Sequence, residues 1–218
     1  MKKQGIPQNK GRNSTVATSA PVEKRRTHER ASRLEKIKYL NPTQTKAFFS
    51  VITKPRDYAL FLMLYRRGLR ASEVGMLELS DLDMQHGYIT VRRLKGSLPG
   101  RFKLMSDELK ALRRWLRSRE DSSTFLFPNR YGQQLTRAGV FSLMRKYGEL
   151  AGLPENLRHP HCFKHSIATH LLEAGADLRY VQDSLGHAKI ENTVIYTAIA
   201  NPTRDQKQRE LALRLPKL

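Results

Sequence analysis

The sequence predicts a mostly helical domain with one small antiparallel sheet (α+β), and three observations carry that prediction. Apolar residues recur at helical spacing over most of the chain beyond residue 40. Residues 77–104 break that rhythm, and Gly87-Tyr88-Ile89-Thr90-Val91 alternates as a half-buried strand does. Asn, Pro and Gly fall where helices should begin and end.

Taken in order, Asn41-Pro42 reads as an N-cap and first helical position, opening a helix with Ala47, Phe48, Val51 and Ile52 inward. A second helix runs from Arg56 to Arg67, with Tyr58, Phe61, Leu62 and Tyr65 on one face and Gly68 as its stop. A short helix begins near Ser72. The strand at 87–91 leads through Lys95, Gly96, Ser97, Pro99 and Gly100 into a partner strand at Arg101–Leu104. Helices return at about 107–118, 137–150, 162–174, 178–184 and 190–197, and Gly175 and Gly186 punctuate two of their ends.

Charge narrows the partner. The 218 residues hold 40 Lys and Arg against 20 Asp and Glu, a net charge of +20 and a pI near 10.4. A footprint of that size points to a polyanion, and nucleic acid is the commonest. Residues 1–38 carry eleven Lys or Arg against three Glu with few apolar residues, the pattern of a solvated, disordered basic arm. Residues 39–218 then form the folded domain. No run of about 18 apolar residues offers a membrane span, and the first residues lack the apolar stretch of a secretory signal. The one cysteine, Cys162, excludes a disulfide-stapled scaffold and suits a cytoplasmic setting.

Five of the seven histidines lie between 159 and 187. His159, His161, Cys162 and His165 suggest zinc, with His161 and His165 one helical turn apart, but no acidic or cysteine partner at ligand spacing lies nearby. Core and capping roles account for some of them. A third reading joins more residues: His161 and Lys164, spaced i, i+3 at a helix start, sit beside free backbone N–H groups that favour a phosphate. Arg70 stands at a junction of two helices, with Glu73 three residues on to orient its guanidinium, and Gly186-His187 precedes Tyr196 by nine positions.

Together GLRASEV…LELSDLD and HPHCFKHSIATHLLEAGADLRYVQDSLGHAKIENTVIYT resemble the two boxes of the tyrosine recombinase (phage integrase) catalytic domain. The similarity runs from about 40 to 200, and in size the chain looks most like the compact fimbrial-switch invertases and small mobile-element integrases, without a separate core-binding domain. The resemblance implies a site-specific recombinase that cuts and rejoins duplex DNA at specific sites as a homotetramer, with no cofactor and no metal. It implies Tyr196 as nucleophile forming a 3′-phosphotyrosyl link, and Arg70 and His187 as phosphate contacts. It further implies that His161 assists proton transfer at the nucleophile, and that Lys95 protonates the leaving 5′-oxygen. Residues 203–218 are expected to pass to a neighbouring subunit or to pack on their own domain.

One position departs from the pattern. Lys164 stands where the family usually has arginine, which keeps the charge and loses the bidentate fork, and Arg158 is a nearby substitute of unknown direction. Contacts to DNA are expected from Lys24, Arg25, Arg26, Arg30 and Arg33 of the arm and from Arg92, Arg93 and Arg101 around the strands. Two rival readings are a DNA-binding accessory protein on the same fold and a type IB topoisomerase.

Overall fold

Asn41 opens the first helix as its residue type dictates: its side chain accepts from the Gln44 N–H at 2.8 Å, and Gln44 Oε1 accepts from the Asn41 N–H at 3.0 Å. This reciprocal cap starts α1, Pro42–Ser50, in the computed structural model of the chain, which describes residues 37–94 and 97–200. The basic arm through Arg33, the Lys95-Gly96 pair and residues 203–218 lie outside the described residues. The remaining elements are α2 (Pro55–Arg66), α3 (Ala71–Gly75), β1 (Leu82–Asp83), β2 (Tyr88–Val91), β3 (Gly100–Lys103), α4 (Ser106–Arg117), α5 (Arg137–Leu150), α6 (His161–Glu173), α7 (Leu178–Leu185) and α8 (Glu191–Thr197). Single 3₁₀ turns occupy Leu79–Asp81 and Glu155–Leu157.

The three strands form one antiparallel sheet in the order β1-β2-β3, with Ile89 opposite Leu82 on one side and Phe102 on the other. The two-residue β1 is too short to show any alternation, so the sequence pattern does not predict it. The second helix also differs from its expected single inward face. Ala59 to Leu64 are all buried, because α2 is wedged between α4 and α6 and has protein on nearly every side. Tyr58 and Tyr65 sit half-buried at its margin.

The main core centres on aromatic rings, with Phe48 at 5.0 Å edge-to-face from both Phe61 and Phe163. Full burial of each such ring contributes roughly 1.5–3 kcal/mol. A second, smaller cluster joins α6, α7 and α8 through Ile167, Ala168, Val181, Leu185 and Tyr196. Among the described residues, no helix is long and apolar enough to cross a membrane.

Candidate active site

Arg70 reaches its position through the Gly68 corner. Gly68 adopts φ +53, which only glycine takes without strain, and a Cβ there would run into the Leu185 side chain. That close approach seats the end of α2 against the end of α7. Three residues past Arg70, the carboxylate of Glu73 is fully buried. It accepts from the Arg70 N–H at 2.8 Å and from Arg70 Nη1 at 2.7 Å. Arg93 Nη1 and the Leu94 N–H each donate to it at 3.2 Å. Burial alone would raise its pKa, but the hydrogen bonds from Arg70 and Leu94 and the Arg93 charge hold it below the usual carboxylate range. Glu73 is therefore an anion that fixes the Arg70 fork, as its spacing in sequence suggests. Arg70 Nη1 also donates to Ser97 Oγ at 2.8 Å, and the side chain remains 36% exposed, open to an anion from solvent.

The turn carrying His187 docks on the same corner. Gly186 caps α7 with φ +64, and a Cβ there would stand 2.9 Å from the Leu98 carbonyl oxygen and 3.0 Å from Arg93 Nε. Leu98 N–H donates to the Gly186 carbonyl at 2.9 Å, and Ser97 pairs with His187 as an isolated antiparallel bridge. The two residues after the Lys95-Gly96 pair are thus held against His187. Thr193 Oγ1 lies 2.9 Å from His187 Nδ1. Burial, then Lys164, Arg70, Arg93 and His161, push the His187 pKa down to about 4, so its ring is neutral at physiological pH.

Lys164 is buried at 3% exposure and donates from Nζ to the Leu185 carbonyl at 3.0 Å. Burial, then the Arg93 charge, lower its pKa to about 7 against the pull of Glu73. Arg158 offers no substitute guanidinium here: its Nε donates to the Leu153 carbonyl at 2.8 Å and its stem lies against Gly148. Cys162 is a buried thiol 3.0 Å from His159 Nε2, and burial pushes its pKa up to about 12. It is a packing group of α6.

Tyr196 is only 2% exposed, on α8 within the second core cluster. Burial raises its pKa, so the phenol is protonated. Its hydroxyl lies 2.8 Å from Nδ1 of His165, and the His165 ring meets His161 edge-to-face with centroids 4.4 Å apart. The histidine touching the tyrosine is therefore His165, one turn on from His161, the residue that the family resemblance implied. Their i, i+4 spacing is the available signal, and in sequence it suggests only a pair of metal ligands. His161, exposed at the start of α6, has its pKa lowered by the protein around its ring, then by Lys164, His159 and Arg70.

Arg93 requires a correction. Expected as a surface contact to DNA, its side chain has 0% exposure. Its guanidinium donates to the Arg67 carbonyl at 2.8 Å, the Ser184 carbonyl at 3.1 Å and the Gly68 carbonyl at 3.3 Å. Together with its Glu73 contact, these bonds tie the α2–α3 corner to the end of α7. Arg92 and Arg101 stay more than half exposed, Arg92 paired with Asp81 at 2.9 Å and Arg101 with Asp83 at 2.9 Å.

A helical domain with a small three-stranded antiparallel sheet, which sets a buried tyrosine beside arginine, lysine and histidine, has the fold of a tyrosine recombinase catalytic domain. The chain belongs to the phage integrase family, whose model matches residues 38–202. It is 37% identical to the type 1 fimbriae regulatory protein FimE of Escherichia coli K12, over 76% of this chain and 87% of that protein. It is 38% identical to tyrosine recombinase XerA of Thermococcus kodakarensis, over 74% of this chain and 58% of that one. The crystal structure of XerA recombinase superposes with a TM-score of 0.67 at 26% identity, covering 83% of this chain and 64% of that one. The post-cleavage complex of XerH site-specific recombinase with palindromic difH substrate gives a TM-score of 0.66 at 26% identity, covering 81% and 52%. The chain thus spans most of FimE but only about half to two thirds of these Xer chains.

Proposed function

We propose that this recombinase cuts and rejoins duplex DNA at specific sites through a 3′-phosphotyrosyl link on Tyr196. The observation that carries the reading is the assembly of Arg70, Glu73, Ser97, Lys164 and His187, from separate stretches of chain, around one corner that leaves the Arg70 guanidinium open to an anion, with Tyr196 on the adjoining helix.

In the first step the Tyr196 oxygen bonds to the scissile phosphorus and the bond to the 5′-oxygen breaks. The phosphodiester energy is kept in the covalent link, so rejoining needs no nucleotide. Arg70, oriented by Glu73, meets the non-bridging oxygens where charge builds in the transition state. Neutral His187 donates a hydrogen bond to the same phosphate, and the Lys164 ammonium adds to the field around it. Lys95 gives the leaving oxygen its proton, a task suited to an ammonium on a flexible stem. The unit acts as a homotetramer on two DNA sites within the cytoplasm.

The test is incubation with a nicked duplex carrying the native site, which traps the cleaved complex, followed by peptide mapping of the covalent adduct. An adduct on Tyr196 together with strand exchange between paired sites is the expected result. Relaxation of supercoils with no partner site would indicate a topoisomerase, and DNA binding with no adduct an accessory protein.

The arm cations Lys24, Arg25, Arg26, Arg30 and Arg33 complete the proposal as groups that neutralise backbone phosphates and read no bases. Deleting residues 1–33 should weaken specific and unrelated duplexes by similar factors. Fluorescence anisotropy across a salt series should then give a shallower log–log slope, by about 0.9 for each phosphate the arm had neutralised. An unchanged slope would show that the arm touches no phosphate, and a loss confined to the specific site would show that it reads sequence.

A further inference from the structure

Resting on the assignment of Tyr196 as nucleophile, we propose that His165, and not His161, accepts the phenolic proton as the tyrosine attacks the phosphate. The warrant is contact: His165 Nδ1 lies 2.8 Å from the Tyr196 hydroxyl, within direct proton-transfer distance. His161 instead meets the His165 ring, with planes at 83° and centroids 4.4 Å apart. His165 lies on α6 between buried Lys164 and Ser166, and Tyr196 packs beside it in the second core cluster.

The charge states suit the transfer. Burial, then the nearby His161, His159, Lys164 and His187, keep the His165 imidazole neutral, with a pKa of about 3, so a lone pair is available. Accepting the phenolic hydrogen at Nδ1 requires the tautomer with its hydrogen on Nε2. A pKa so low makes a weak base in the free protein. An arriving phosphodiester brings a negative charge beside the ring, which favours the imidazolium and raises that pKa when the base is needed.

Each bond is accounted for. The phenolic O–H bond breaks and its proton moves to His165 Nδ1, while an oxygen electron pair forms the O–P bond. The bond from phosphorus to the 5′-oxygen breaks, and that oxygen takes its proton from Lys95. In rejoining, a 5′-hydroxyl attacks the phosphotyrosine, its proton returns to Lys95, and the departing tyrosine oxygen recovers its own from His165.

A duplex with sulfur at the 5′-bridging position of the scissile phosphate tests this, because a thiolate leaves without an acid and isolates the nucleophile side. His165→Asn keeps a hydrogen-bonding group near Tyr196 but cannot take the proton. Single-turnover cleavage should fall by about 10²–10⁴-fold on the ordinary and the sulfur-bridged duplex alike, with DNA affinity unchanged. The variant's rate should climb with pH as hydroxide takes over. His165→Gly should regain cleavage when imidazole is added, a response that a packing role would not give. Lys95→Ala, by contrast, should be restored by the sulfur-bridged duplex. Cleavage by His165→Asn within about threefold of the parent, or DNA-bound His165→Gly that imidazole leaves unchanged, would overturn the proposal. An adduct mapped to another residue in the parent protein would overturn the Tyr196 assignment itself.

Discussion

Tyr196→Phe is expected to abolish the covalent adduct while leaving the fold and the affinity for DNA in place. Only the attacking oxygen is removed, and no other group can form the phosphoester at that position. The structural cost is small because the phenylalanine ring fills the same volume among Ile167, Ala168, Val181 and Leu185. What disappears is one hydrogen bond to His165, at about 0.5–1.5 kcal/mol. Thermal unfolding and anisotropy should therefore stay near parental values while denaturing gels show no adduct. An adduct of undiminished yield would move the nucleophile to Tyr180, which is 49% exposed. Tyr147 is a poor alternative, being buried and donating to Asp57 Oδ2 at 2.7 Å.

Lys164→Ala is expected to slow single-turnover cleavage by about 10²–10³-fold, the loss that follows removal of one donor to a developing charge. The same lysine makes a second, opposite prediction for stability. Its pKa is lowered to about 7 in the folded protein from an ordinary value of 10.5. Between those values the unfolded chain binds the extra proton, so folding stability should rise with pH across that window. Lys164→Met should remove this slope and stabilise the protein at neutral pH, because no charge is then buried. In cleavage the sign reverses: the ammonium is lost as pH climbs through and beyond 7, and the parental rate should fall there. Bound phosphate shifts that fall upward. Lys164→Arg should abolish it, since a guanidinium stays charged throughout. If Lys164→Ala cleaves at the parental rate with the parental pH profile, this lysine only packs α6 against the Leu185 carbonyl.

Local chemistry was legible in the sequence wherever a few adjacent residues decide the outcome. Asn41 caps α1 as its place before Pro42 indicated, its side chain accepting from the Gln44 N–H at 2.8 Å. Gly186 ends that helix in the left-handed region where its place after Leu185 suggested. Glu73 reaches Arg70 because three residues of helix bring them together. The order of Arg70, Lys164, His187 and Tyr196 along the chain was likewise enough to indicate the family.

Tertiary structure alone decided the contacts that cross the chain. Arg93 follows Arg92 in a basic stretch, and composition cannot tell which of two adjacent arginines lies on the outside. Arg92 stays at the surface with Asp81, whereas Arg93 turns inward to carbonyls at residues 67, 68 and 184, contributed by two other segments. Ser97 meets Arg70 across 27 residues, and His165 meets Tyr196 across 31. A periodic pattern records which face of a helix is apolar, and α6 is apolar over much of its circumference. It therefore could not say which of two histidines one turn apart would face α8. That choice follows from how α6, α7 and α8 pack around Val181 and Leu185, because the position of the Tyr196 hydroxyl is fixed by that shared core rather than by neighbours in sequence.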